Sequence, residues 1–192
     1  MSKIRPFSAA TLAEALPILM RGGVLIVPTD TVYGLVCHPD FPEALARIRQ
    51  MKSRDQDKPF QLLAASTEQV RRMGALQSPL AERYAAFWPG ALTLVLETAE
   101  GTTEGFRVPA EALLCDLLAR CGGYLRATSV NVSGEPPATS LEEVPKHILE
   151  AVDLILDGGK LPMGSASSVI RVTPEGRATQ LRAGAVPLLP ED

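Results

Sequence analysis

The chain has 192 residues, 46% hydrophobic and 21% charged, with a net charge of −3. These values fit one sizeable globular domain over residues 1–192 and exclude a disordered chain. They also make the molecule as a whole a poor general binder of nucleic acid. No apolar stretch approaches the roughly 20 residues that cross a bilayer. The N-terminus, Met1-Ser2-Lys3-Ile4-Arg5-Pro6, lacks the apolar core of a signal peptide, which predicts a cytoplasmic protein.

In chain order, Leu12, Ala15, Leu16 and Leu19 recur at helical spacing, and Thr11 with Glu14 forms a predicted capping box. Pro17 predicts a kink or a later start, and Gly22-Gly23 ends the helix. Val24 to Val27 is a short apolar run bounded by Gly and Pro, the pattern of a strand buried on both faces. The polar turn Thr29-Asp30-Thr31-Val32-Tyr33-Gly34 follows it, where ligands gather in covered sheets. Pro42 opens a second helix with Leu45, Ile48 and Met51 or Lys52 inward, and Phe60 to Ala64 reads as a strand. Ser66 with Gln69, and Ser78-Pro79, open two further helices, the second presenting Leu80, Tyr84 and Phe87.

Trp88-Pro89-Gly90 is a strong break before a strand over Ala91 to Leu96. Glu97 to Gly105 reads as loop and Phe106 to Pro109 as a brief extended piece. A helix from about Ala110 to Arg120 buries Leu113, Leu114, Leu117 and Leu118, with Gly122-Gly123 as its cap. Tyr124 to Thr128 is strand-like and runs into Ser129-Val130-Asn131-Val132-Ser133-Gly134. Ser140 with Glu143 predicts one more capped helix, and Asp153 to Asp157 a strand. Ser168 to Val172 and Ala178 to Arg182, joined by Thr173-Pro174-Glu175-Gly176, predict a hairpin. With both crossover-length and hairpin-length connections, the fold class is α/β, a mixed sheet flanked by helices.

Three cysteines, Cys37, Cys115 and Cys121, without C-x-x-C spacing argue against a disulfide framework and a structural zinc site. The two histidines, His38 and His147, lie far apart, so histidine metal or triad chemistry is poorly supported, and His38 reads as a loop residue. The phosphate-loop, dinucleotide, esterase and zinc-protease motifs are all absent. What remains is three polar clusters, each read as following an apolar strand: Thr29-Asp30-Thr31, Ser129 to Ser133, and Ser165 to Ser168. Basic residues accompany them, from the run Arg47, Arg49, Lys52, Arg54 and Lys58 to Arg107 and Arg182. Cations suit phosphate groups, and hydroxyls with an Asn amide suit the neutral parts of a small ligand. On composition alone, these hydroxyls equally serve as strand and turn caps.

The ordered set Pro28-Thr29-Asp30-Thr31-Val32-Tyr33-Gly34-Leu35, Lys52-Ser53-Arg54 with Lys58-Pro59, Trp88-Pro89-Gly90 with Leu92-Thr93-Leu94, Arg107-Val108-Pro109, Thr128 to Gly134, Ser167-Ser168-Val169 and Leu181-Arg182-Ala183-Gly184-Ala185 resembles the YrdC-like family. That family includes the threonylcarbamoyl-AMP synthases, and the resemblance runs from about residue 13 to 186. It implies a twisted α/β sheet enclosing a positively lined cavity. The implied activity joins L-threonine, bicarbonate and ATP into threonylcarbamoyl-AMP and pyrophosphate, and partner proteins then modify tRNA.

The resemblance further implies catalytic roles for Lys52 and Arg54, with Lys52 facing the phosphates. Threonine binding falls on Thr31, Arg107, Ser129 and one of Ser167 and Ser168. Nucleotide contacts fall on Arg54, Lys58, Thr103, Asn131, Thr139 and Arg182. No residue is assigned to a metal; magnesium is expected with ATP, held largely by the substrate.

Four residues depart from the pattern: Val36 and Cys37 after Tyr-Gly-Leu, and Arg126 and Val130 beside the Ser-x-Asn motif. Val130 is expected to narrow the pocket, and Arg126 either to add a phosphate contact or to point outward. Leu63 stands where some members carry a threonine-binding histidine. These departures leave a second reading open, a non-synthesising paralogue that binds RNA or nucleotide. The basic run offers at most a weak RNA contact. Carbamoyl transfer as in hydrogenase maturation is disfavoured, because those proteins carry zinc-binding cysteines.

Overall fold

Glycine and proline cut the chain into short elements, which the computed structural model describes over residues 3–53, 59–162 and 166–190. In order they are β1 (Ile4–Pro6), α1 (Ala9–Leu19), β2 (Leu25–Val27), β3 (Gly34–Cys37), α2 (Pro42–Met51), β4 (Gln61–Ala64), α3 (Thr67–Arg72) and α4 (Pro79–Ala85). Then follow β5 (Leu92–Glu97), β6 (Thr103–Arg107), α5 (Ala112–Arg120), β7 (Tyr124–Ser129), a 3-10 turn (Leu141–Glu143), α6 (Lys146–Ala151), β8 (Leu154–Asp157), β9 (Ser168–Val172) and β10 (Ala178–Arg182). The strands form one mixed sheet in the order β1-β8-β2-β3-β7-β4-β6-β5-β9-β10. β2 and β3 pair antiparallel across the polar turn, with Val27 opposite Gly34, whereas β4 with β6 and β5 with β9 are parallel.

Consecutive strand residues point to opposite faces, and both faces are apolar through much of the sheet. Val27, Val36, Leu63 and Leu125 pack with Leu12 and Leu19 of α1 and Leu114, Leu117 and Leu118 of α5. Their chain neighbours turn the other way. Ile26, Leu35 and Ile155 meet Ile48 of α2 and Ile148 of α6, while Leu62, Leu94 and Phe106 meet Val70 of α3 and Leu80 and Tyr84 of α4. The fold is the mixed α/β class expected from the sequence.

Several local expectations change. α1 starts earlier than predicted: Ser8 is its N-cap, and the Ser8 backbone N–H donates to Thr11 Oγ1 at 3.1 Å, so Thr11 closes the box rather than opening it. The helix continues through Pro17 to Leu19. It then closes as a Schellman pair, Gly22 N–H to Leu19 O and Gly23 N–H to Ile18 O, with Gly22 at φ +79°. A Cβ on Gly23 would lie 2.3 Å from Ile18 Cγ2, so glycine is what lets β2 leave so closely beside the helix.

β1 and β3 were not anticipated, and β6 begins inside a stretch read as loop. β1 is three residues long and exists by parallel pairing with β8, a long-range partner that local pattern does not reveal. Phe87 lies past the end of α4 and is exposed rather than packed. The Glu143 carboxylate is held chiefly by Thr139, its Oε2 accepting from Thr139 N–H and Oγ1 at 2.7 and 2.9 Å, with a lesser bond from the Ser140 backbone; the Ser140 side chain makes no cap bond, and a 3-10 turn replaces the expected helix start.

Candidate active site

α1 and α5 cover only part of their face of the sheet. The remainder is a cavity of about 270 Å³, near the lower end of ordinary small-molecule sites. On that face the alternate positions change character. Gln61 and Leu63 of β4, Thr93 and Val95 of β5, Thr103, Gly105 and Arg107 of β6, Ala127 and Ser129 of β7 and Val169 of β9 line it, with the β2–β3 turn, Ser167 and Arg182 closing its rim. Small and polar residues stand where a packed sheet would place Val, Ile or Leu.

The β2–β3 turn is framed by Thr29. Its hydroxyl donates to Val32 O at 2.7 Å and accepts from the Thr31 and Val32 N–H groups at 3.1 and 3.2 Å. Tyr33 pins the far end, with its hydroxyl 2.8 Å from Gly159 O and 3.0 Å from the Gly158 N–H; burial pushes its pKa up to about 12. That framing presents Thr31 to Arg107, whose Nη1 donates to Thr31 Oγ1 at 2.8 Å. Arg107 is 3% exposed; its Nη2 pairs with Asp30 Oδ1 at 2.6 Å and its Nε donates to Gly90 O at 3.1 Å. Burial lowers the guanidinium pKa and Asp30 opposes that shift. The second oxygen, Asp30 Oδ2, is buried without a hydrogen-bond partner among the described residues.

Across the cavity Arg182 donates from Nε to Ser167 O and from Nη2 to Ser167 Oγ, at 2.9 and 3.1 Å. Ser167 Oγ lies 2.8 Å from Thr93 Oγ1, which donates to Gln61 Oε1 at 2.9 Å. The chain has one direction: Thr93 spends its hydrogen on Gln61, so Ser167 donates to Thr93 and accepts from Arg182. Burial lowers the Arg182 pKa, and the charge of Arg107 lowers it further. Two guanidinium groups that repel one another across a cavity favour an anion between them.

Of the predicted residues, Thr31, Thr103, Arg107, Ser129, Ser167 and Arg182 line this one cavity. Arg54 and Lys58 lie outside the described residues. Lys52, Ser168, Asn131 and Thr139 are not in the lining, and each has a physical reason. Lys52 is 1% exposed; its ammonium donates to the Ser129 and Asn131 carbonyls and to Asn131 Oδ1, so the described contacts turn it toward the Ser129–Asn131 turn rather than toward a phosphate. The Ser168 hydroxyl exchanges hydrogen bonds with Val186 N–H and C=O, both at 2.9 Å. The Thr139 hydroxyl is given to Glu143.

Of the departures from the motif pattern, Leu63 lines the cavity and the other four fall outside it. Val36, Cys37 and Val130 are fully buried in the core, and burial pushes the Cys37 thiol up to about 12. Val130 therefore does not narrow the cavity. Arg126 neither faces a phosphate nor points freely outward: it forms a two-pronged pair with Glu104, at 2.5 and 2.7 Å. Part of the basic run is also committed, since Arg47 pairs with Asp153 at 3.0 Å and Arg49 lies 4.8 Å over the Phe60 ring.

Sequence reasoning missed Gln61, Thr93 and Gly105 as cavity residues, although a polar or small residue at every second position of an apolar strand was there to be read. It read Trp88-Pro89-Gly90 as a break and as part of the motif set, without a contact to Arg107. The Gly90 carbonyl holds Arg107 Nε, and a Cβ there would lie 2.7 Å from Phe87 O. Among the described residues no group of three His, Cys, Asp or Glu side chains is placed to hold a metal ion. No helix among them is long and apolar enough to cross a membrane.

Residues 17–184 match the family model Sua5/YciO/YrdC, described as "Telomere recombination". A relative from Stenotrophomonas maltophilia named threonylcarbamoyl-AMP synthase is 36% identical over 160 residues, 77% of this chain and 86% of that protein. One of the same name from Pyrococcus abyssi is 34% identical over 88% of this chain but only 53% of its own length. The crystal structure of P. abyssi Sua5 complexed with L-threonine aligns with a TM-score of 0.84 at 32% identity, covering 96% of this chain and 57% of that one. E. coli YciO aligns with a TM-score of 0.82 at 24% identity, over 95% of each chain, and at that identity supports the fold alone. The chain belongs to the Sua5/YciO/YrdC family.

Proposed function

We propose that this chain is a threonylcarbamoyl-AMP synthase, a nucleotidyltransferase that serves tRNA modification in the cytoplasm. The carrying observation is one cavity with a buried Thr31–Arg107 pair on one side and Arg182 on the other. In this reading the threonine carboxylate lies against Arg107 and Thr31, and Ser129 and Ser167 complete the amino acid's site. ATP lies toward Arg182 and Thr103, and Arg54 and Lys58 are assigned to its phosphates.

The chemistry balances without a covalent enzyme intermediate. The threonine amine bonds to the bicarbonate carbon with loss of water. The resulting carbamate oxygen attacks the α-phosphorus of ATP, the bond to the bridging oxygen breaks, and pyrophosphate leaves. The protein's work is alignment and stabilisation of the developing phosphate charge. Magnesium enters this reading only with ATP: among the described residues the cavity lining holds no carboxylate, and Asp30 is committed to Arg107.

The position of Val36, Cys37, Arg126 and Val130 away from the lining supports synthesis over a binding-only paralogue, while Leu63 is the one departure that lines the cavity. Purified protein given ATP, bicarbonate and L-threonine is expected to release pyrophosphate only when all three are present. ATP binding without threonine-dependent release would overturn the assignment in favour of that paralogue. Partner proteins that carry the threonylcarbamoyl group to tRNA belong to the same proposal.

A further inference from the structure

The Ser129–Asn131 turn allows a proton-by-proton assignment. Lys52 Nζ can only donate, and it lies 2.8 Å from one side-chain atom of Asn131, which must therefore be Oδ1. The other atom of that amide lies 2.9 Å from Val132 O and 2.7 Å from Glu135 O, two acceptors, and must be Nδ2. The orientation of the Asn131 amide is thus fixed from both ends. Ser129 Oγ lies 2.6 Å from the same Oδ1. Oδ1 carries no hydrogen, so the single hydroxyl hydrogen of Ser129 is committed to it.

What Ser129 then offers the cavity it lines is lone pairs alone. On this face of the cavity Ser129 is an acceptor, whereas Arg107 and Arg182 are donors. We propose that Lys52 is a positioning residue: acting through Asn131, it sets the direction of the Ser129 hydroxyl, so that Ser129 selects an N–H donor, the α-amino group of the amino acid substrate, and disfavours an oxygen acceptor there. This rests on the reading of the cavity as an amino acid site, and it deepens that reading by naming which end of the substrate Ser129 takes. Without the ammonium, the Asn131 amide is no longer held from one end. The hydroxyl can then reverse and donate into the cavity.

The test compares affinities of the full chain for L-threonine, its α-hydroxy analogue (2,3-dihydroxybutanoate of matching stereochemistry) and ATP, by calorimetry. The native chain is expected to prefer threonine, and Lys52→Met to narrow that preference by roughly tenfold, the worth of a hydrogen bond to a charged group, with ATP affinity unchanged. Loss of ATP affinity with the preference intact would overturn the proposal and return Lys52 to a phosphate contact. Should Lys52→Met fail to fold, Asn131→Ala carries the test, since it removes the acceptor that directs Ser129 and leaves Lys52 its two carbonyls. It must narrow the preference in the same way, and an unchanged ratio in it overturns the proposal. Failure of the native chain to bind threonine at all would overturn the amino acid reading itself, a result separate from an unchanged ratio with threonine still bound.

Discussion

A buried guanidinium is costly unless its charge and its N–H groups are met, and removing one partner of a buried pair leaves the other stranded. Arg107 meets Asp30, Thr31 and the Gly90 carbonyl at once, and in doing so it ties the β2–β3 turn to β6 and to the Trp88-Pro89-Gly90 turn. Its role is therefore double, as a cavity cation and as the joint between three segments distant in sequence. Arg107→Met is expected to destabilise the fold by about 3–5 kcal/mol, the scale for breaking a buried ion pair. Adding Asp30→Asn should recover part of that loss, because the stranded charge is removed, while threonine-dependent activity stays lost. Urea unfolding of the two variants checks this. Equal destabilisation in the single and double variants would mean that the Asp30 charge is not what Arg107 compensates.

At the scale of the element, the strands around the cavity carry two codes at once. In β5, Leu92, Leu94 and Leu96 pack against α3 and α4, while Thr93 and Val95 face the cavity. Thr93→Val keeps the shape and suits a strand at least as well. It breaks the directed chain from Arg182 through Ser167 to Gln61. The expected result is a fall in pyrophosphate release of roughly tenfold, one hydrogen-bond network's worth at a charged group, with unfolding free energy unchanged to about 1 kcal/mol. Loss of stability in step with activity would reassign Thr93 to the core. The same strands show what was legible in advance. The β9–β10 hairpin and the starts of α2 and α3 follow from turn and cap chemistry contained in a few residues, and they were read correctly. β1 depends on a partner far away in the chain, β8, whereas β3 and β6 pair with the strands just before them but begin in Gly, Thr and Glu residues that carry little strand signal. The motif residues that line the cavity were named through resemblance. Lys52, Asn131 and Ser168 were assigned to ligand through the same resemblance, and a linear sequence does not show that their polar atoms also meet Ser129, Val132 and Glu135, and Val186.

On the scale of the whole molecule, the cavity is assembled from both ends of the chain. The β2–β3 turn supplies one wall. The opposite rim is Ser167 and Arg182 at the β9–β10 hairpin, whose following segment is fastened by the two Ser168–Val186 bonds. Gly184 lies so close there that a Cβ would stand 2.5 Å from Ser168 N. A ligand that spans the cavity therefore bridges remote parts of the chain and must stabilise the fold by mass action. At ATP or threonine about 100-fold above its dissociation constant the gain is about 2.7 kcal/mol, a rise of roughly 5–10 °C in melting temperature for a domain of this size. The two ligands rest on different guanidiniums in the proposed arrangement, which makes their effects separable. Arg182→Ala is expected to abolish the ATP-induced rise and preserve the threonine-induced one. Scanning calorimetry with each ligand alone reads both. If both rises vanish together, Arg182 acts by holding the hairpin and Ser167 in place, and the nucleotide contact passes to other residues of the rim.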